Sequence, residues 1–133
     1  MIFGIGVDII EIERIRAADA RFGPRFAQRV LGPHELERFG ARRARSEDRG
    51  LRYLATRFAA KEAVSKALGL GMRQPMTWRA VEIVNDPAGR PVVFIRSAEL
   101  RKFAERHRLR LHVSVSDERD YATAYAIADG EGG

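Results

Sequence analysis

The chain has 133 residues, 45% hydrophobic and 32% charged, which suits one domain with a real core and excludes a disordered polymer. It contains no cysteine, so disulfides, thiolate metal sites and cysteine nucleophiles are ruled out, and no apolar run approaches the roughly 20 residues that span a bilayer. The formal net charge of +6 points to an anionic partner or substrate. Arginine supplies 21 of the 24 basic residues, which suits phosphate and carboxylate recognition but is also what a GC-rich genome produces. The start of the chain lacks the basic, apolar and small-residue pattern of a signal peptide, so a cytoplasmic location is expected.

Residues 2–10 predict a buried strand rich in Ile and Val, in which Gly4 and Gly6 let another backbone or a ligand come close. A helix is expected from about Glu11 to Arg21. Gly23-Pro24 breaks it, and Pro24 starts a second short helix. Gly32-Pro33 repeats the device before His34–Phe39. Gly40–Gly50, which carries Arg42, Arg43, Arg45, Glu47, Asp48 and Arg49, predicts a solvated loop. A long helix follows from about Leu51 to Leu68 with Gly69 as its stop, and then a glycine-bearing loop to Pro75. Ala80–Asn85 and Pro91–Arg96 predict strands joined by the Asp86–Gly89 turn. Ser97 caps a helix from Ala98 to His107. Strands Leu109–Ser116 and Tyr121–Ala128 follow, and Glu131-Gly132-Gly133 is expected to fray. With no repeat and no long linker, residues 1–133 read as a single α+β domain.

Two carboxylates break the apolar pattern. Asp8 stands alone within Ile5-Gly6-Val7-Asp8-Ile9-Ile10, and at 100° per residue Glu62 falls near the centre of an apolar arc begun by Leu51, Leu54, Ala55 and Phe58. A buried carboxylate must be neutralised, paired or bound to a metal, so the two acids either share a cation or have local partners. In the second case Glu62 pairs with Lys66 one turn on, and Asp8 bonds nearby backbone. In Leu109–Ser116, alternation sets Arg110, His112, Ser114 and Ser116 on one face, which is either a ligand wall or a solvent-facing edge. The absence of a Gly-x-Ser-x-Gly elbow argues against a serine hydrolase.

Gly4-Ile5-Gly6-Val7-Asp8-Ile9, Arg57-Phe58-Ala59-Ala60-Lys61-Glu62-Ala63 followed by Ser65-Lys66-Ala67, and His112-Val113-Ser114-Val115-Ser116 together resemble the holo-acyl-carrier-protein synthases. These are the small stand-alone class of 4′-phosphopantetheinyl transferases, and the likeness covers nearly the whole chain. It implies an antiparallel sheet packed with a long helix. It also implies transfer of 4′-phosphopantetheine from coenzyme A to a serine of apo acyl carrier protein, with release of adenosine 3′,5′-bisphosphate. By matching positions, Asp8 and Glu62 would bind Mg²⁺, a cation content with one or two carboxylates plus phosphate oxygens and water. Lys66 and Arg57 would face the pyrophosphate. Glu62, then Asp8, is the candidate base for the acceptor hydroxyl. Coenzyme A would further touch Gly69, Gly71, His112, Ser114 and Ser116. Lys61, angled away from Glu62, is expected to be a surface or neighbour-facing cation.

The chain departs from the pattern of many members at Ser116-Asp117-Glu118, where they carry a histidine. Asp117 would repel the 3′-phosphate of coenzyme A, and the arginines of the predicted Gly40–Gly50 loop are candidate replacements. Arg14, Arg21, Arg25 and Arg29 occupy the region that docks the acidic carrier helix in relatives, with Arg14 and Arg21 two turns apart on one face. The resemblance further implies a homotrimer whose sites lie between protomers, the strand of His112, Ser114 and Ser116 completing a neighbour's site. A nucleic-acid-binding module is the rival that the charge suggests. It lacks a reader motif, and the aromatic residues read as core. The other rival keeps the fold and binds the carrier without turnover; intact Asp8, Glu62 and Lys66 argue against it.

Overall fold

Helix α4 (Glu47–Ala67) is covered on nearly every side, and the other elements are arranged around it. The computed structural model describes residues 1–130, and the end expected to fray lies outside them. Before α4 come β1 (Ile2–Glu11), α1 (Ile12–Phe22), α2 (Pro24–Val30) and α3 (Pro33–Arg45). After it come β2 (Val81–Asn85), β3 (Pro91–Ile95), α5 (Ala98–Arg106), β4 (Leu109–Asp117) and β5 (Tyr121–Gly130). One antiparallel sheet has the order β1-β5-β4, and β2 pairs with β3 in a separate hairpin.

The helix and the sheet meet through small residues. Ala122, Ala124, Ala126 and Ala128 line the inner face of β5, and Ala59, Ala60, Ala63 and Ala67 belong to α4. With so little side chain between them, the two backbones come close. Beside β5, Gly4 and Gly6 bring β1 closer still: a Cβ on either would lie 2.0 Å from the carbonyl oxygen of Ala67 or Ala63. A second core joins α1, α2 and α3 to the first half of α4 through Ile15, Val30, Leu31, Phe39, Leu51 and Leu54.

Four expectations change. The first strand is not buried on both sides; it is a sheet edge whose inner face carries Gly4, Gly6, Asp8 and Ile10, while Ile5 (70%), Val7 (47%) and Ile9 (64%) are exposed. A continuous apolar run signals two covered faces, yet here one is an open apolar surface that continues through Tyr125 (63%) and Ile127 on β5. The aromatic residues are likewise not all core, since Phe3, Phe22, Phe94, Tyr121 and Tyr125 are exposed.

The predicted loop at Gly40–Gly50 is helical, with Ser46 as its only break. Several of its charges are paired across and along the helices. Arg43 binds Asp19 and Glu47, and Arg52 binds Asp48 (2.8 Å), while Ser46 accepts from the Arg49 amide as the α4 cap. Gly50 is there for space, because a Cβ would meet Cβ of Arg43 at 2.8 Å.

Lys61 is not a surface cation. It is fully buried, and its ammonium donates to Glu35 Oε1 (2.6 Å), Val30 O (2.7 Å) and Trp78 O (2.8 Å). Glu35 also accepts from the amides of Gly32 and Ile83, and the Glu35 amide donates to buried Glu82, which Arg96 pairs at 3.1 Å. Burial pushes the Lys61 ammonium below its ordinary value, and Glu35 opposes the shift. A helical wheel shows only direction; that α2 and the segment before β2 close over this side is a tertiary fact.

Candidate active site

Past its exposed first turn α4 is mostly buried, but in its second half one stripe stays more open: Phe58, Glu62 and Lys66, spaced by four. Glu62 therefore sits on the least covered line of the helix, not at the centre of the apolar arc, because neighbouring elements cover the other faces. Beside this stripe runs β1. Its glycines press the strand onto α4 at Ala63 and Ala67, which sets Asp8 against Glu62 and Lys66. The Lys66 ammonium donates to Val7 O (2.9 Å) and Asp8 Oδ1 (3.3 Å), while Thr123 Oγ1 donates to Asp8 O (2.9 Å). Of the two local arrangements the sequence left open, neither holds: Lys66 hydrogen-bonds Asp8 and not Glu62.

Burial, and then the charge of Asp8, push the Glu62 carboxyl above its ordinary value, and Lys66 only partly opposes them. Two carboxylates held together with one half-exposed ammonium form an electrostatically unbalanced pair. That donor set fits a hard divalent cation completed by phosphate oxygens and water. Among the described residues no third His, Cys, Asp or Glu joins them, so the protein offers at most a partial coordination shell.

Arg57 lies on another flank of α4. It is buried, stacks 4.3 Å from the Tyr53 ring centroid, and donates to Asn85 Oδ1 (2.6 Å) and Ile83 O (3.3 Å). Burial lowers its pKa, although it stays cationic. It forms the floor of an arginine-rich cleft in two lobes. The larger, about 300 Å³, is lined by Arg42, Arg49, Arg52, Tyr53, Thr56, Arg57, Val115 and Asp117; the smaller adds His34 and Arg38. Arg57 and Arg42 stand out in the sequence, whereas Arg38, Arg52 and Tyr53 are unremarkable until α3 and α4 pack together.

Gly69 and Gly71 both have positive φ, which explains glycine there. Their amides donate to Lys66 O and Ser65 O as the helix closes, so neither is free to bind an anion. His112, Ser114 and Ser116 lie on the open face of the sheet, opposite Ile127, Tyr125 and Thr123 of β5. That is the face turned away from α4, so a single chain does not bring them to Asp8 and Glu62. Arg14, Arg21 and Arg25 are exposed and form no ion pair among the described residues, whereas Arg16 pairs with Glu13 and Asp48. An aromatic ledge had no signal in the sequence. Phe58 stacks on Trp78 (centroids 4.6 Å apart) and approaches Phe26 (6.3 Å), one turn from Glu62.

An α+β fold in which a strand and a helix present paired acids beside a lysine, with an arginine cleft on the same helix, suits an enzyme acting on a phosphorylated substrate. The family model described as the 4′-phosphopantetheinyl transferase superfamily matches residues 4–126. The chain belongs to this superfamily. It is 59% identical over 128 residues to a holo-[acyl-carrier-protein] synthase of Ralstonia nicotianae, covering 96% of this chain and 92% of that one. Among solved structures it is similar to the holo-[acyl-carrier-protein] synthase of Neisseria meningitidis, with TM-score 0.88, 39% identity and coverage of 97% and 99% of the two chains. It is also similar to the Bacillus anthracis synthase in complex with CoA (3′,5′-ADP), with TM-score 0.80, 30% identity and coverage of 98% and 99%.

Proposed function

We infer that this chain transfers 4′-phosphopantetheine from coenzyme A to a serine of an apo acyl carrier protein, giving the holo carrier and adenosine 3′,5′-bisphosphate. The observation that carries the reading is the meeting of Asp8, Glu62 and Lys66 along the open stripe in the second half of α4. In the reaction a new P–O bond forms to the serine oxygen, and the bond from that phosphorus to the bridging pyrophosphate oxygen breaks. The serine proton goes to Glu62, whose carboxylate has no hydrogen-bonding side chain among the described residues, unlike Asp8. Lys66 is half-exposed at the same point and offsets charge on the leaving bisphosphate. Asp8 and Glu62 would hold Mg²⁺, which when bound supplies neutralising charge to the pyrophosphate.

Coenzyme A extends from this point to the arginine cleft, where Arg57, Arg42 and Arg38 receive its remote phosphate. This replaces the pyrophosphate role expected of Arg57, because its side chain is turned to Tyr53 and Asn85. Gly69 and Gly71 keep the surface beyond Lys66 free of side chains. The carrier docks on Arg14, Arg21 and Arg25, whose charges are unspent, and against the ledge of Phe26, Phe58 and Trp78. Three copies associate through the open apolar face of Ile5, Val7, Ile9, Tyr125 and Ile127. There His112, Ser114 and Ser116 belong to a neighbour's site. No helix among the described residues is long and apolar enough to cross a membrane, and the enzyme works in the cytoplasm, with its coenzyme and carrier.

The test is to incubate the protein with apo carrier, coenzyme A and Mg²⁺ and weigh the carrier by mass spectrometry. A gain of one phosphopantetheine is expected. Binding of coenzyme A with no gain would leave only a carrier-binding protein that has lost catalysis.

A further inference from the structure

Asp117 lines the same cleft as Arg42, Arg49 and Arg57, and there a bare carboxylate opposes any anionic ligand. The structure shows how it is compensated. Arg52 Nη1 donates to Asp117 Oδ2 (3.1 Å) and to Glu118 O (2.7 Å). Its Nη2 donates to Arg119 O (2.8 Å), and its Nε donates to Asp48 Oδ2 (2.8 Å). Four donors of one guanidinium are thus committed to the β4–β5 turn and to its own helix. Donating to the Asp48 and Asp117 carboxylates raises the Arg52 pKa further, so the charge is permanent.

We propose that Arg52 is a positioning residue for coenzyme A: it pins and neutralises Asp117, so that the remaining arginines of the cleft face the remote phosphate without a competing carboxylate. The inference rests on the reading that this cleft receives the phosphate end of coenzyme A. Arg52 acts through Asp117, since four of its five N–H donors are already taken. Other charged groups around the pair include Asp48, which Arg52 also binds, Arg16, which lies 3.6 Å from Asp48, the cleft arginines themselves, and Glu11, Glu13, Arg119 and Asp120, which share a pocket with Arg52 on its other side. A chain with an acid at position 117 thereby keeps the positive field that a histidine there would support.

The experiment measures the dissociation constant of coenzyme A by calorimetry on the full chain, with thermal melting in parallel to confirm folding. Arg52→Gln should weaken binding about tenfold, because Asp117 becomes an unpaired negative charge in the cleft. Asp117→Asn, which leaves the backbone bonds of Arg52 in place, should tighten binding about threefold by the same electrostatics. The double variant restores the charge balance and should return to within about twofold of the parent. A purely structural anchor for the turn would not be rescued by Asp117→Asn. A double variant as weak as Arg52→Gln, or an Asp117→Asn that binds more weakly, would overturn the proposal. Arg42→Gln separates this from the wider reading. If it weakens coenzyme A while Arg52→Gln does not, only the Arg52 role fails; if it has no effect, the cleft is not the coenzyme site and both readings fall.

Discussion

Gly6→Ala puts the placement of the candidate site to its most direct test. The added Cβ would lie 2.0 Å from Ala63 O and 2.9 Å from the Ala67 amide nitrogen, and contacts below 3.0 Å are essentially never seen. Both opposing atoms are backbone, so no rotamer change relieves the clash. Strand β1 must retreat from α4 by about 1 Å at a point two residues from Asp8 and beside the carbonyl of the residue after Glu62. Forced overpacking of this kind costs about 1–3 kcal/mol. A 1 Å misplacement of reacting groups costs about 100-fold in rate. Transfer to apo carrier at saturating coenzyme A and Mg²⁺, alongside a urea melt, should therefore show a loss of turnover larger than the stability change explains. Gly40→Ala is the control. It sits in α3 with nothing within 4 Å of its Cβ position, and should gain up to about 1 kcal/mol with activity intact. If Gly6→Ala melts and turns over like the parent, the close approach does not place Asp8, and the geometry proposed for the site is wrong.

Other substitutions probe the remaining pieces. Lys61→Met leaves Glu35 buried without its cation and should lower the unfolding free energy by about 3–5 kcal/mol in denaturant melts, although a surface lysine would cost almost nothing. Glu62→Gln should abolish transfer and yet raise the melting temperature in chelator at neutral pH. The folded-state pKa of Glu62 lies above its ordinary 4.5, so its ionisation removes stability as pH rises through the folded value. The advantage of the variant should accordingly vanish below about pH 4.5, and added Mg²⁺ should stabilise the parent but not the variant; a pH-independent difference would contradict the paired-carboxylate picture. Arg14→Glu with Arg21→Glu should raise the KM for carrier strongly, less so at high salt, where exposed charges are screened over about 8 Å, with coenzyme A affinity unchanged. Tyr125→Lys, on the open apolar face, should shift the sedimentation profile toward single chains and reduce activity, and an unchanged profile would place self-association elsewhere.

Local chemistry was enough to settle much of this protein from its sequence. Gly-Pro pairs end and restart helices, Ser97 caps α5 through the Leu100 amide, and strict alternation assigns the two faces of β4, because each depends on residues a few positions apart. The lone acids Asp8 and Glu62 stood out because a carboxylate among apolar residues needs a partner. What the sequence could not supply was which surfaces are covered. The same apolar run suits a buried strand or an edge with one open face, and packing made β1 the edge. The charge-rich stretch around Ser46 read as loop, since the partners that make it helical, Asp19 among them, lie on other elements. Lys61 and Arg57 share a helix with Glu62, but α2, α3 and β2 close over them and leave Glu62 and Lys66 in the open. Glu35 and Glu82 gave no signal at all, because a glutamate is buried only where distant amides and cations converge on it. Burial and charge pairing are sums over neighbours remote in the chain, and for that reason only the tertiary structure could decide them.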